Sequence, residues 1–181
     1  MELFLLETER LILRRLTPEV YKYVFSNYDN RQLIDFFGCI SEEELEEERK
    51  KNEQGLSMYR KSVLIFQLVE KSSGKVIGWC GYHTWYETHY RAEIGYQISS
   101  DSGKRKGYMS EALPAVLDYG FRSMNLKRIE AMVSPSNEAS LKLLSGQGFV
   151  KEGLMREHYF INGKFEDSFV FSLLEREYVF L

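Results

Sequence analysis

Apolar positions along the chain switch between a period of two and a period near 3.6, and the switches divide it into elements. Residues 10–16 alternate and predict a strand. Thr17-Pro18 supplies an N-cap followed by proline at the first helical position, opening a helix to about residue 28. Ser41 with Glu44 three positions on has capping-box form and starts a charged helix to about residue 54. Residues 63–70 and 75–87 read as strands joined at Ser72-Ser73-Gly74, and residues 91–99 as a third strand of that sheet. From Tyr108, Met109, Leu113, Val116, Leu117, Gly120 and Phe121 recur at helical spacing, with Pro114 predicting a kink or lost hydrogen bond near Ser110. Residues 128–134 form a strand and 137–145 a short helix stopped by Gly146 or Gly148. Two long strands, 149–161 and 165–178, flank the hairpin-turn signal Asn162-Gly163. The sum is an α/β fold in which one mixed sheet is flanked by helices. No repeat or linker interrupts it, so residues 1–181 read as a single domain.

Composition narrows the function classes. With 181 residues, 44% hydrophobic and 28% charged, the chain can build one substantial core. A net charge of -3 argues against a general nucleic-acid binder. The most apolar run, residues 63–69, is far too short to cross a bilayer, and the acidic first ten residues lack a signal-peptide pattern. Cys39 and Cys80 carry no metal or disulfide spacing, so reduced thiols in a cytoplasmic protein are expected, and no metal. His83, His89 and His158 share no ligand spacing either.

Chemistry concentrates at a strand-to-helix turn. Lys104, Arg105, Lys106 and Gly107 precede Tyr108 and Met109, where the new helix begins. Unbonded N–H groups and the dipole at a helix start favour an anion, and the basic residues add charge. About thirty residues later stand Ser134-Pro135-Ser136-Asn137-Glu138-Ala139-Ser140 and then Gly148-Phe149. Lys104-x-x-Gly107-x-Met109 and this second segment resemble the cofactor motifs of the Gcn5-related N-acetyltransferase (GNAT) superfamily. Met109 departs from the small residue of the general pattern, and the loop from Ser100 to Gly103 looks about one residue longer than many. Thr8-Glu9-Arg10-Leu11, Ala92-Glu93-Ile94-Gly95-Tyr96, Tyr108-Met109-Ser110-Glu111-Ala112 and the segment 163–167 together resemble the ribosomal-protein N-terminal acetyltransferase (RimJ/RimL-like) branch.

The resemblance implies a GNAT fold whose central strands splay to form an acetyl-CoA cleft, and an amine acceptor. It implies that main-chain N–H groups of the Lys104 to Met109 turn hold the pyrophosphate. Backbone near Ile98 and Ser99 pairs with the pantetheine, Asn137 touches that arm, and Ser140 lies near the thioester sulfur. Glu93 is the candidate base, acting through water; its alternative is a structural carboxylate paired with Arg91 or another basic group. Ser140 is either a donor to the departing sulfur or a first-turn serine bonding its own helix. Tyr159, a second candidate acid, falls where the ribosomal-protein enzyme carries a glutamate, and in a β hairpin it is otherwise packing. Trp79, Tyr82, Trp85 and Tyr86 line an acceptor pocket or the core, and only part of the set can face one side. The acidic run 42–48 is a solvated helix face or an attractant for a cationic acceptor, and residues 29–59 are where family members vary the acceptor site. The expected acceptor is a protein or peptide N-terminal amine, with a small-molecule amine or a weakly catalytic acetyl-CoA-binding module as alternatives. The chain is expected to act as a monomer or homodimer.

Overall fold

The computed structural model describes residues 3–54, 57, 58, 61–99 and 103–180. Nine strands form one sheet: β1 (Leu5–Glu7), β2 (Leu11–Leu16), β3 (Ser57–Met58), β4 (Lys61–Glu70), β5 (Val76–Tyr86), β6 (Arg91–Ile98), β7 (Arg128–Val133), β8 (Val150–Ile161) and β9 (Lys164–Leu174). Their order is β1-β2-β4-β5-β6-β7-β9-β8, with β3 pairing β4. All these pairings are antiparallel except β6 with β7. Five helices flank the sheet: α1 (Pro18–Asn27), α2 (Asn30–Phe37), α3 (Glu42–Gln54), α4 (Tyr108–Arg122) and α5 (Glu138–Gly146).

Helix α4 covers one face. Its Ala112, Leu113, Val116, Leu117 and Phe121 are buried against Leu11, Leu13, Phe66, Leu68, Tyr82 and Ile94 of the sheet. Each fully buried aliphatic or aromatic side chain contributes roughly 1.5–3 kcal/mol of transfer free energy. Helices α1–α3 share a second cluster around Leu16, Val20, Tyr21, Leu33, Phe37 and Leu45. It lies on the opposite face, because Arg14 and Gln67 alternate with the α4-facing residues and Arg14 donates to both Gln67 Oε1 and the Phe36 carbonyl.

Local signals hold where a side chain makes them. Thr17 accepts from the Val20 N–H, and Asn162 and Gly163 have φ of 51° and 78° in the β8–β9 turn. Ser41 accepts from the Glu44 N–H, but the return bond from Glu44 goes to the Ile40 N–H instead of closing the box on Ser41. Helix α4 keeps Pro114 inside it, where proline has no N–H to give the Ser110 carbonyl. Two expectations change. Strand β9 ends at Leu174, where a short 3-10 turn, Glu175–Glu177, takes over. Strands β1 and β3 and helix α2 are additional elements.

The feature that positions a site is a fork. Strands β6 and β7 pair in parallel at Arg91–Arg128, Ala92–Ile129 and Glu93–Glu130, and among the described residues they pair no further. Yet β6 runs on to Ile98 and β7 to Val133. A cleft beyond the carboxyl ends of neighbouring parallel strands is the usual ligand position in an α/β sheet.

Candidate active site

One wall of the fork ends at the start of α4. Gly107 is its N-cap, with φ of 78°, a conformation glycine adopts without strain, and it offers no side-chain cap. Arg105 also has positive φ (61°), so the turn folds its backbone sharply before the helix. The first N–H groups of α4 therefore face outward with exposed Lys104, Arg105 and Lys106 around them. A clasp at the surface holds this end in place. Glu111 accepts from the Thr8 hydroxyl, from the Arg10 N–H (2.7 Å) and from Arg10 Nε (2.6 Å), while Arg10 Nη1 donates to the Lys106 carbonyl (3.0 Å). The Tyr108 side chain turns inward, its hydroxyl bonded to Glu70 and its ring under the Arg10 guanidinium. Met109 packs on the core. From these two residues the turn has backbone to offer.

Burial pulls the Glu111 pKa upward, but the hydrogen bonds from Thr8 and Arg10 outweigh it and hold the carboxyl below its ordinary range. A depressed folded pKa stabilises the fold above the unfolded carboxylate range, about pH 4.3, and that contribution is lost as pH falls through the folded value. Glu111→Gln is therefore expected to flatten the acid-side fall in Tm. Glu111→Ala should cost about 2 kcal/mol in a urea melt, the scale for removing a charged acceptor from its donors.

Along the fork, strand alternation decides which backbone groups are free. The Ser99 N–H donates to the Ile77 carbonyl on β5 (2.9 Å), so that group is committed, contrary to expectation. By alternation Ile98 and Tyr96 point their N–H and C=O toward the gap left by β7. Across the gap, Asn137 caps α5 with its Oδ1 accepting from the Ser140 N–H (3.1 Å). The Tyr96 hydroxyl is buried without a hydrogen-bond partner among the described residues. Burial raises its pKa, and the neighbouring Ser140 hydroxyl draws it partly back down. Two hydroxyls thus stand side by side at this arm of the gap, and each can donate a hydrogen bond.

The opposite face of β6 carries different chemistry. Glu93, in the last residue pair before the fork opens, lies 3.5 Å from His83 Nε2 through its Oε1. The rings of His83 and Trp79 lie over Gly95, where a Cβ would come within 2.6 Å of His83 Cδ2. Burial, then the charge of Glu93, raises the pKa of Tyr159, so its phenol stays protonated as a donor beside that carboxylate. Arg91 is not the partner of Glu93: it bonds Glu130 (2.7 Å), which Arg128 also holds (2.7 Å). Arg91 is thus committed elsewhere, and the basic group beside Glu93 is His83, so the structural alternative stands with His83 as the partner.

These observations meet the comparisons at one place. Residues 10–150 match the family of the acetyltransferase (GNAT) domain. The chain belongs to the GNAT acetyltransferases. The uncharacterized N-acetyltransferase p20 of Bacillus licheniformis is 37% identical to this GNAT enzyme, spanning 96% of this chain and 97% of its own. The ribosomal protein uS5-alanine N-acetyltransferase of Escherichia coli (strain K12) is 32% identical over 107 residues, 59% of this chain and 55% of that one. A solved point mutant of the spermidine N-acetyltransferase from Vibrio cholerae superposes with a TM-score of 0.69 at 25% identity, over 92% of this chain and 96% of that one. The GNAT chain is therefore an N-acetyltransferase, and enzymes of this fold take the acetyl group from acetyl-CoA.

The structure divides the expected site residues of this acetyltransferase into three groups. Lys104 to Met109 and Ile98 line one arm of the fork, Asn137 and Ser140 the other, and Glu93 with Tyr159 the opposite face. Ser140 and Glu93 do not form a pair, since Tyr96 and Glu93 point to opposite sides of β6. Of the aromatic set, Trp79 lies over Gly95 on the Glu93 face, Tyr82 and Trp85 pack in the core, and Tyr86 stacks on Arg91. Residues 100–102, in the loop expected to be long, lie outside the described residues, as do 55, 56, 59 and 60 of the expected acceptor segment. Sequence reasoning passed over His83, Tyr96 and Arg10 as functional groups. His83 carried a signal: Tyr82 and Trp85, both core aromatics, stand an odd number of residues apart, which a strand allows only with a bulge.

Proposed function

We propose that this enzyme acetylates the N-terminal amine of a protein or peptide, with acetyl-CoA laid along β6. The fork fits that donor. From Ile98 to Glu93 the strand rises roughly 17 Å at 3.3 Å per residue, the scale of an extended pantetheine arm. Diphosphate at the Gly107 end and thioester at the Glu93 end satisfy both termini. Lys104, Arg105 and Lys106 supply charge to the first, Ile98 and Tyr96 pair with the arm as an added strand, and the Asn137 amide N–H remains for it while its oxygen caps α5. Bound acetyl-CoA supplies an activated acyl carbon and a thiolate leaving group. Glu93 removes the proton that keeps the amine from attacking, and Tyr159 or the Tyr96–Ser140 pair donates toward charge that develops on the other side.

The observation that carries the acceptor class is the charge count at the fork. Glu130 is neutralised by Arg91 and Arg128, and Glu152 by Arg128, whose bonds hold the Glu152 carboxyl at about 2. Among the described residues Glu93 faces His83 rather than a guanidinium, and it can meet one cation, as an N-terminal amine requires. A polyamine carries several. The E. coli relative that acts on uS5 alanine agrees with this reading. Polyamine acetylation is the second reading, favoured by the similarity to the spermidine enzyme and by α3, whose Glu42, Glu43, Glu46 and Glu47 share one exposed region with Lys50. Helices α1–α3 lie on the Glu93 side of the sheet, so the two readings use the same approach. Mass detection of acetylated product in a mixture of N-terminal peptides, spermidine and aminoglycosides tests them. The expected product is an α-N-acetyl peptide; preferential acetylation of spermidine would replace this reading by the second.

A further inference from the structure

We infer that His83 is the proton exit of the reaction: Glu93 takes the amine proton and His83 carries it to solvent. The geometry begins with the β-bulge. Tyr82 pairs Ile94 and Thr84 pairs Glu93, so His83 is the extra residue on β5. With Tyr82 and Trp85 both turned to the core, the bulge turns both His83 and Thr84 to the Glu93 face. The imidazole is then fixed at three points: Nε2 faces Glu93 Oε1 at 3.5 Å, Nδ1 meets Thr84 Oγ1 at 3.3 Å, and the ring lies on Gly95 beside Trp79. Exposure sets the direction. The Glu93 side chain is 17% exposed and that of His83 39%, so the path runs from the fork apex outward.

On this face β6 contributes Glu93, and β8 contributes Tyr159, whose pKa is raised by burial and then by the Glu93 charge. Arg91 is turned to Glu130 and Tyr86, and β4 presents the uncharged Ile65 opposite Gly81 on this face. The step balances without a further reagent. A proton leaves the ammonium for a Glu93 oxygen, passes to the lone pair of neutral His83 Nε2, and leaves the imidazolium for water. The freed lone pair of nitrogen forms the N–C bond, the C–S bond breaks, and the second nitrogen proton matches the one taken up by the thiolate. Imidazole suits the role because one ring nitrogen can accept a proton while the ring passes one on to water.

This inference rests on the fork being the acyl-transfer site but not on the acceptor class, so it is measured with an N-terminal peptide and with spermidine, and judged on whichever the wild type acetylates. His83→Ala is expected to lower kcat/KM about 10–100-fold near neutral pH, up to the lower end of the range for a positioned proton-transfer group, because Glu93 still takes the first proton. The deficit should shrink as pH rises and the amine deprotonates unaided, added imidazole should restore part of it, and the KM for acetyl-CoA should hold. A deficit equal at all pH and insensitive to imidazole would mean packing and overturn the inference, as would an unchanged rate. A second arm needs no acceptor: the chain has three histidines, and proton NMR titration follows each. Glu93→Gln should move the His83 curve and leave those of His89 and His158; an unmoved His83 curve also overturns it.

Discussion

Glu93→Gln is expected to lower kcat/KM for the amine by about 10²–10³-fold near neutral pH, the range for removal of a positioned general base. Glutamine keeps the shape and the hydrogen-bonding reach of the side chain but accepts no proton. The acetyl-CoA KM should be unaffected, because Glu93 faces away from the α4 side where Tyr96 and Ser140 lie. The pH dependence separates a base from a binding group. A free N-terminal amine has a pKa near 8, so the variant can use only the neutral fraction and its rate should climb with pH up to about that value. His83→Ala should climb in the same way from a smaller deficit, since Glu93 still accepts the first proton. A variant whose kcat/KM equals wild type at every pH would remove Glu93 from the mechanism. A variant that raises KM for the amine with kcat unchanged would make it a binding carboxylate instead.

The legible and illegible parts of this fold differ for physical reasons. Helix caps and turns are local, so Thr17, Ser41 and Asn162-Gly163 announce their elements directly. Helix α2 had the same kind of signal: Asp29 and Gln32 close a full capping box ahead of Leu33, Phe36 and Phe37. At eight residues it repeats its apolar stripe too few times to stand out. The splay between β6 and β7 follows from the family resemblance alone, because pairing between distant strands leaves no trace in either one. Long-range contacts also hid the clasp. Nothing near Glu111 indicates that its partners are Thr8 and Arg10, about a hundred positions away. Glu93 is a candidate through its place in a strand beside the cleft that the family resemblance implies; His83 needs the bulge, and a bulge shows only when the core side of a strand is tracked past it.

Gly120→Val tests how α4 is seated, and the expected loss is about 3 kcal/mol, at the upper end for overpacking a core. A Cβ at residue 120 would stand 2.1 Å from the Tyr82 hydroxyl and 2.7 Å from Cζ of the same ring. Tyr82 is fully buried and bonds the Val116 carbonyl at 2.9 Å, so the ring cannot swing out without breaking that bond in a dry core. Glycine inside a helix ordinarily costs about 1 kcal/mol against alanine, so Gly120→Ala recovers propensity while it clashes, and the valine form does not. Urea denaturation should therefore rank wild type, Gly120→Ala and Gly120→Val in falling order. Tyr82→Phe removes the nearest atom, and in a double-mutant cycle it should couple favourably with Gly120→Ala. Additive effects would mean that the strain lies elsewhere on α4. Seating and function are connected through the helix axis. Gly120 sets how close α4 lies to β5, and the other end of that helix is Gly107. In the folded fraction of Gly120→Val, the KM for acetyl-CoA should rise while the pH profile set by Glu93 and His83 keeps its shape.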